Sequence, residues 1–296
     1  MNNWIKYGIY GIILIGIIGF IGIHILAPYG ITQPPRINEN ISPNQLGLKS
    51  ERLEVRTRDN FELDGYWIKS KQGSSKGIII LVHGIGGCKE HFLNLSKELS
   101  KLGIESIVFD GRAHGKSGGE FCTYGFKEKN DISRIVDKIK NKAPNLSIGI
   151  WGNSLGGAVA IQALAIDKRI DFGIIESTFT ELNKIVYDYQ IRIFKGINLK
   201  LLSDYGLKRA GQIADFNPNE VKPIESVKNI EQPIFIAHGD SDENISVEYG
   251  KQLFKNLPSK NKELVIIKDG GHFGLFDKGG EAYKMKIISF IERNLK

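Results

Sequence analysis

The sequence has little cysteine and no dense run of charge, and each shortage excludes a class of protein. Only two cysteines, Cys88 and Cys122, occur in 296 residues, which excludes a disulfide-stabilised scaffold. They form neither a CxxC motif nor a Cys/His cluster, so no metal or organic cofactor is expected, and their pairing stays open. The formal net charge is +7, but the lysines are spread along the chain. This favours a solvated basic surface and no nucleic-acid partner.

Charge is also missing from one long N-terminal stretch. No Asp, Glu, Lys or Arg occurs between Tyr7 and Gly30, and about 20 apolar residues suffice to cross a bilayer. A cleaved signal peptide has a shorter apolar run and a small-x-small site, and the glycines here disfavour a helix buried in a soluble domain. We predict a single-pass anchor over 1–30 and an extended linker over 31–50. The lysine before the anchor places the main domain outside the cytoplasm by the positive-inside rule.

From about Glu51 the pattern changes to short strands that alternate with helices. Two segments of alternating polarity, 51–57 and 61–70, predict an antiparallel hairpin. Six apolar runs rich in Ile and Val follow, as expected for parallel strands buried on both faces. They are GIIILVHG, GIESIVFDG, LSIGIWGNS, RIDFGIIES, QPIFIAHGD and ELVIIKDGG. Amphipathic helical segments separate the runs, so the sequence predicts an α/β domain over 51–296 with a mostly parallel central sheet flanked by helices.

One interval of this domain, about residues 178–231, contains no clear strand. Apolar residues recur there at four-residue spacing, at Ile193, Ile197, Leu201 and Tyr205, which predicts one face of a helix. We interpret the interval as a small helical cap above the sheet, with this apolar face packed on the domain. The basic residues of the interval leave contact with anionic lipid headgroups open as a second interpretation.

The candidate catalytic residues follow the predicted strands, where open α/β sheets bind their ligands. The segment Gly152–Gly156 fits G-x-S-x-G between a strand and a helix, which predicts a tight turn that presents Ser154 as a nucleophile. A serine hydroxyl is a poor nucleophile without a base. His272 lies in a glycine-flanked loop after the last strand, and we predict it as that base.

An acid that orients the histidine is expected between the serine and the histidine in chain order. The segment HGDSDENIS follows the penultimate strand; we predict Asp242 for this role and assign Asp240 to the turn. Glu176, after the preceding strand, is the alternative acid. An oxyanion hole needs backbone N–H donors. We predict those of Leu155, directly after the nucleophile, and of Ile85, in the loop HGIGG.

These motifs, in this order, resemble those of the α/β-hydrolase superfamily over about residues 51–296. The matching segments are LVHGIGG, FDGRAHGKSGG, GNSLGG, HGDSDENI and GGHFG. The segments FDGRAHGKSGGE and TYGFKEKNDI are similar to the Bem46-like, serine aminopeptidase-like branch, some of whose members have an N-terminal membrane anchor. Ala113, where glycine is usual, and Asn153 are small departures that leave the predicted triad intact.

The residues and the resemblance together predict a membrane-anchored serine hydrolase that works through Ser154, His272 and Asp242. The expected bond is a carboxylic ester or thioester of a small-molecule acyl substrate. The anchor and the apolar cap slightly favour a lipid-like acyl group. An amide or short peptide stays open as the alternative bond. A non-catalytic, membrane-tethered binding protein on the same fold is the rival class, since fold alone does not imply function.

Overall fold

Eight strands form one sheet in the computed structural model, which describes residues 3–295. The strands are β1 (Ser50–Arg56), β2 (Glu62–Ile68), β3 (Gly77–Val82), β4 (Ile104–Phe109), β5 (Ile148–Asn153), β6 (Phe172–Glu176), β7 (Ile234–Gly239) and β8 (Lys262–Ile267). Their order across the sheet is β1-β2-β4-β3-β5-β6-β7-β8. β2 runs antiparallel to both of its neighbours, and the other pairs are parallel. The predicted hairpin and the mostly parallel sheet are therefore confirmed.

The central strands are apolar because both of their faces are covered. β3, β6 and β7 are buried along their whole length, as their continuous Ile- and Val-rich runs predict. β8 differs, since most of its residues are only half-buried. The prediction that this strand is buried on both faces is wrong, because β8 is the edge of the sheet and has a neighbouring strand on one side only.

Ten helices accompany the sheet in the described part of the chain. They are α1 (Asn3–Ile21), α2 (Ala27–Thr32), α3 (Leu93–Lys101), α4 (Glu128–Lys142), α5 (Leu155–Ile166), α6 (Leu182–Ile193), α7 (Lys200–Ala214), α8 (Pro223–Ser226), α9 (Val247–Asn256) and α10 (Leu275–Asn294). α3 and α10 contribute to the core cluster on one face of the sheet. α4, α5 and α9 contribute to the cluster on the other face. The strands are thus held in place from both sides, with their carboxyl ends at one edge.

The N-terminal helix is continuous over Asn3–Thr32 and is long and apolar enough to cross a membrane. It comprises α1, a wider π-helical turn over Gly22–Leu26, and α2. The hydrophobic window of this helix is not buried in the protein, whereas α2 packs against α7 of the cap.

The segment after this helix lies along the domain. The Arg36 guanidinium donates hydrogen bonds to the carbonyl oxygens of Ser117 and Gly119, at 2.6 and 2.5 Å. A short 3₁₀ helix forms over Pro43–Leu46, and Leu48 is buried in the core. The helix and the α/β domain are therefore joined by a segment with several fixed contacts.

The cap contains two main helices, α6 and α7, joined by a sharp turn. α6 ends at Ile193, and Gly196 (φ 92°) follows in the left-handed region, with its N–H donating to the Ile191 carbonyl at 2.7 Å. The prediction that the four-residue spacing makes one packed helix face is wrong, because this glycine cap ends the helix. Ile193, Ile197 and Leu201 are instead 69%, 60% and 84% exposed.

Candidate active site

Ser154 occupies a strained turn between β5 and α5. Its backbone has φ 54° and ψ −123°, a conformation that residues other than glycine rarely adopt. Such strain is common at active sites. The flanking glycines are required by close backbone approach. A Cβ on Gly156 would lie 2.0 Å from the Val82 carbonyl oxygen, and one on Gly152 would lie 2.2 Å from the Gly156 carbonyl oxygen. The predicted turn therefore has a direct steric reason for both glycines.

The structure brings Ser154, His272 and Asp242 together at the carboxyl ends of β5, β8 and β7. His272 Nε2 lies 3.0 Å from Ser154 Oγ, and His272 Nδ1 lies 2.8 Å from Asp242 Oδ2. Both distances fit hydrogen bonds. Ser154 and His272 are buried, and the Asp242 side chain is inaccessible to solvent. With the proton of a neutral His272 on Nδ1, Nε2 can accept the proton of the serine hydroxyl.

Asp242 is surrounded by donors on both of its oxygens. Oδ1 accepts from the backbone N–H groups of Asn244 and Ile245, at 2.8 and 2.9 Å. Oδ2 faces His272 and also His238 Nε2, at 3.3 Å. Burial opposes ionisation, but hydrogen bonds from His238, His272 and the Ile245 N–H outweigh it and hold the pKa of Asp242 well below its usual range. Asp242 is therefore an ionised carboxylate in the working pH range.

His238 is a further residue that contacts the acid Asp242. Its buried ring lies at the end of β7, and Nε2 lies 2.8 Å from the Ile245 carbonyl oxygen. With its proton on Nε2, His238 donates to this carbonyl and reaches Asp242 at longer range. His238 and Asp242 are four positions apart in the sequence. This short spacing around a tight loop is the only sequence signal of their contact.

The two other carboxylates considered from the sequence have different neighbours. Glu176 accepts a hydrogen bond from Trp151 Nε1 at 2.9 Å and another from the Tyr283 hydroxyl. Burial raises the pKa of Glu176 above its usual value. Asp240 accepts from the Asp269 N–H at 2.7 Å, in keeping with its assignment to a turn. Among these carboxylates, the structure brings only Asp242 to His272.

Two backbone N–H groups near Ser154, those of Leu155 and Ile85, are the predicted oxyanion donors. Leu155 begins α5, so its N–H has no acceptor within the helix. Within residues 3–295, neither this N–H nor that of Ile85 donates a hydrogen bond. A Cβ on Gly84 would lie 3.3 Å from the Ser154 Cβ, so the loop that carries Ile85 lies directly against the nucleophile. Both N–H groups are available for an oxyanion.

His83 holds the loop that carries Ile85. Its Nδ1 lies 2.8 Å from the Gly84 carbonyl oxygen, and its Nε2 accepts a hydrogen bond from the Gly111 N–H at 2.9 Å. Burial, together with the neighbouring His114, lowers the pKa of His83 to about 4. His83 is therefore neutral at pH 7 and supports the loop through these two contacts.

An apolar cavity of about 810 Å³ lies above Ser154, within the size range of small-molecule sites. Its walls come from the N-terminal helix, the Ile85 loop and the cap. No charged side chain lines it among the residues that the structure describes. A second concavity, of about 930 Å³, involves α7 and the Asp215–Asn219 loop and does not include Ser154. The smaller cavity is the one that can present a substrate to the serine.

One group of side chains outside this cavity could hold a metal ion. Glu39, Cys88 and His91 bring one ligand atom each within 4.8 Å of one another. Burial raises the pKa of Cys88 to about 11, which disfavours the thiolate that a metal requires. Cys88 and Cys122 are both buried, unpaired thiols.

Comparisons with known proteins agree with this architecture. Residues 73–214 match the serine aminopeptidase S33 family. The solved esterase PF2001 of Pyrococcus furiosus is 27% identical with a TM-score of 0.75, and the alignment covers 90% of this chain and 99% of that one. The lysophosphatidylserine lipase ABHD12 of Macaca fascicularis is 28% identical over 207 residues, which is 64% of this chain and 48% of that protein.

The Bem46 protein of Schizosaccharomyces pombe is 29% identical over 157 residues, which is 52% of each chain. The alignments therefore span about half the length of these two curated relatives. The fold and these relatives define a serine hydrolase of the α/β-hydrolase superfamily. Within that superfamily, the chain is similar to members of the Bem46-like, serine aminopeptidase-like branch. The resemblance predicted from the sequence motifs is confirmed.

Proposed function

We propose that Ser154, His272 and Asp242 form the catalytic triad of a membrane-anchored hydrolase, with the N–H groups of Ile85 and Leu155 as its oxyanion hole. One observation carries this proposal. An unbroken chain of contacts runs from Ser154 Oγ through His272 to Asp242, at 3.0 and 2.8 Å, beside an apolar cavity that includes the serine.

The reaction follows from these contacts. Ser154 Oγ attacks the acyl carbonyl while His272 Nε2 takes its proton, and the oxyanion accepts hydrogen bonds from the two backbone N–H groups. His272 then returns the proton to the leaving alcohol or thiol, which leaves an acyl-serine. Water, deprotonated by His272, hydrolyses the acyl-serine to a carboxylic acid and free Ser154. Asp242 keeps the histidine oriented and stabilises its charged form.

The cavity supports an uncharged acyl group as the part of the substrate that is bound. An apolar chain gains from leaving water for such a lining, by about 0.8 kcal/mol per buried methylene. A charged group inside it would have no ionic partner among residues 3–295 and would be costly to bury. We therefore assign a carboxylic ester or thioester with an apolar acyl chain, whose polar part stays outside.

The alternative bond, an amide or short peptide, has less support. An aminopeptidase has to hold the charged amino terminus of its substrate, which is best done by a carboxylate. The described lining of the cavity contains no Asp or Glu. The family match to serine aminopeptidases therefore supports the fold and the use of a serine nucleophile. It gives less support to a peptide as the substrate.

The membrane assignment rests on the N-terminal helix Asn3–Thr32, which is long and apolar enough to span a bilayer. With one lysine before it, the positive-inside rule favours a catalytic domain outside the cytoplasm. Protease added to intact cells should then degrade the domain. Protection until the membrane is opened would contradict this orientation.

Ester hydrolysis by the full-length protein and a Ser154→Ala variant tests the proposed chemistry. We expect detergent-solubilised wild-type protein to hydrolyse 4-nitrophenyl butyrate and the variant to lose at least about 10³-fold in kcat, because the nucleophile is gone. Equal melting temperatures would show that the variant is folded. A folded variant with undiminished activity would overturn the assignment of Ser154.

A further inference from the structure

The N-terminal helix is longer than a bilayer requires. Its 30 residues, Asn3–Thr32, span about 45 Å at about 1.5 Å per residue, whereas a hydrocarbon core is about 30 Å thick. The 19 residues of α1 account for about 28 Å of this length. Residues 12–21 are exposed, and partial burial against the protein begins at Gly22. The membrane surface therefore falls close to Gly22, and the last turns of the helix lie beyond it.

These last turns are docked on the hydrolase domain. His24 Nδ1 lies 2.5 Å from the Tyr205 hydroxyl of α7, and the Ile31 carbonyl accepts a hydrogen bond from the Tyr124 hydroxyl at 2.5 Å. The Cys122 N–H donates to the Thr32 carbonyl at 2.8 Å. A π-helical turn over Gly22–Leu26 widens the helix at this level, a feature frequent at functional sites. The position of the helix relative to Ser154 is thus fixed by several contacts.

The docked part of the helix forms one wall of the cavity above Ser154. Five of its residues line the cavity together with Gly19, which lies just before it; the five are Gly22, Ile23, Ala27, Gly30 and Ile31. A Cβ on Gly19 or Gly22 would meet no atom within 4 Å, and the same holds for Gly206 in the facing wall. These glycines therefore border empty space that a larger side chain would fill.

The cap exposes an apolar surface beside the same end of the helix. The turn between α6 and α7 presents Ile193, Phe194, Ile197 and Leu201, which are 48–84% exposed. Basic residues flank them, including Arg192 and Lys200. Exposed apolar patches with basic neighbours are typical of surfaces that dip into a bilayer. Tyr205 of α7 contacts His24, which lies just beyond Gly22. This contact places the turn between α6 and α7 at the level of the membrane surface.

We propose that the N-terminal helix is a wall of the acyl-binding site as well as an anchor, and that the cavity opens to the bilayer between Gly22 and the cap. The substrate class is a lipid ester with a single long acyl chain, which enters from the membrane while its polar head stays at the surface. A single cavity of about 810 Å³ and its uncharged lining fit one such chain. This inference rests on the proposed role of Ser154.

Replacing a cavity-lining glycine with a larger side chain should change the preference of the enzyme for acyl chains of different length. We compare full-length wild type, Gly22→Leu and Gly206→Leu in phosphatidylcholine vesicles, with 4-nitrophenyl butyrate and 4-nitrophenyl palmitate as substrates. In both variants kcat/KM for the palmitate ester should fall about tenfold or more, because the new side chain occupies space in which several methylenes of the acyl chain would be buried. The butyrate ester should lose less than the palmitate ester, because the short chain needs only the space near the serine, so the palmitate-to-butyrate ratio of kcat/KM should fall about fivefold or more.

Gly8→Leu is the matched control, since Gly8 lies in the same helix, faces open space and is absent from the cavity lining. It should leave both rates unchanged. If both Gly22→Leu and Gly206→Leu keep the wild-type ratio of kcat/KM between the palmitate and butyrate esters, the proposed wall is wrong. An equal loss of kcat/KM on the two esters in both variants would also overturn it. A wild-type protein that hydrolyses neither ester would instead overturn the proposed function of Ser154, and the inference with it.

Entry from the membrane has its own test in Leu201→Ser. Leu201 is 84% exposed and does not line the cavity. We expect hydrolysis of vesicle-bound palmitate ester to fall about threefold or more when this apolar contact with lipid is lost, with the butyrate rate unchanged. An unchanged palmitate rate would contradict an opening that faces the bilayer.

Discussion

Glu176 is the last residue of β6 and Asp242 follows the neighbouring strand β7. Both carboxylates are buried, yet their surroundings are opposite. Asp242 receives four donors, among them two backbone N–H groups, and its pKa is lowered despite its burial. Glu176 receives two uncharged side-chain donors, Trp151 and Tyr283, and burial raises its pKa. Position at a strand end is therefore insufficient to define the acid of a triad. The donors supplied by the following loop make the difference.

The largest expected effect in this comparison comes from Asp242→Asn. An amide at this position lacks the charge that stabilises the imidazolium, and it can also turn its NH₂ group toward His272. We expect kcat to fall about 10⁴-fold. Steady-state hydrolysis of 4-nitrophenyl butyrate measures it, with circular dichroism to verify the fold. A folded variant that keeps more than a tenth of wild-type kcat would show that another group orients His272.

The intermediate effect is expected from His238→Phe, which keeps a ring in place but removes a donor to Ile245 and Asp242. A hydrogen bond to a charged group is worth about 1.5–3 kcal/mol, so we expect a loss of about this size in unfolding free energy. Activity should fall about tenfold as the acid loop loosens.

The pH dependence sharpens the prediction for His238. The lowered pKa of Asp242 contributes stability above the unfolded pKa of about 3.9, and this stability is lost as the pH falls through the folded pKa. His238→Phe should raise the pKa of Asp242 toward its usual value, and NMR titration of the Asp242 carboxyl carbon in wild type and variant measures this change. An unchanged pKa would mean that His238 does not stabilise the carboxylate.

The smallest effect on activity is expected from Glu176→Gln. The amide can keep both partners, with its oxygen accepting from Trp151 and its NH₂ group donating to the Tyr283 hydroxyl, so kcat should stay within about threefold of wild type. Because the pKa of Glu176 is raised, its burial costs stability above the unfolded pKa of about 4.3. The melting temperature of the variant relative to wild type should therefore rise between pH 4 and pH 8. A large activity loss here, with Asp242→Asn active, would reverse the two assignments.

The sequence predicted the features that depend on short-range pattern. The Ile- and Val-rich runs identified the strands, and G-x-S-x-G between a strand and a helix identified the turn at Ser154. Chain order selected His272 and Asp242 because parallel strands end at one edge of a sheet, so residues after β5, β7 and β8 have to meet there. These expectations needed no knowledge of contacts between distant side chains.

Features that depend on packing between distant segments could not be predicted in this way. The docking of residues 31–36 on the domain and the contact between His24 and Tyr205 join parts of the chain that share no pattern. The four-residue spacing from Ile193 was misleading, although Gly196 is a typical signal for a helix end. The glycines of the N-terminal helix look alike in sequence, and only the structure separates those that border the cavity from the others.

The central claim is that Ser154 is the nucleophile, and the most direct measurement is to locate the adduct of a fluorophosphonate probe. Such a probe reacts with a serine that an adjacent base activates. Full-length protein in detergent should be labelled with one probe per chain, and peptide mass spectrometry should place the phosphonyl group on Ser154. A folded protein that stays unlabelled, or that carries the label on another residue, would contradict the account.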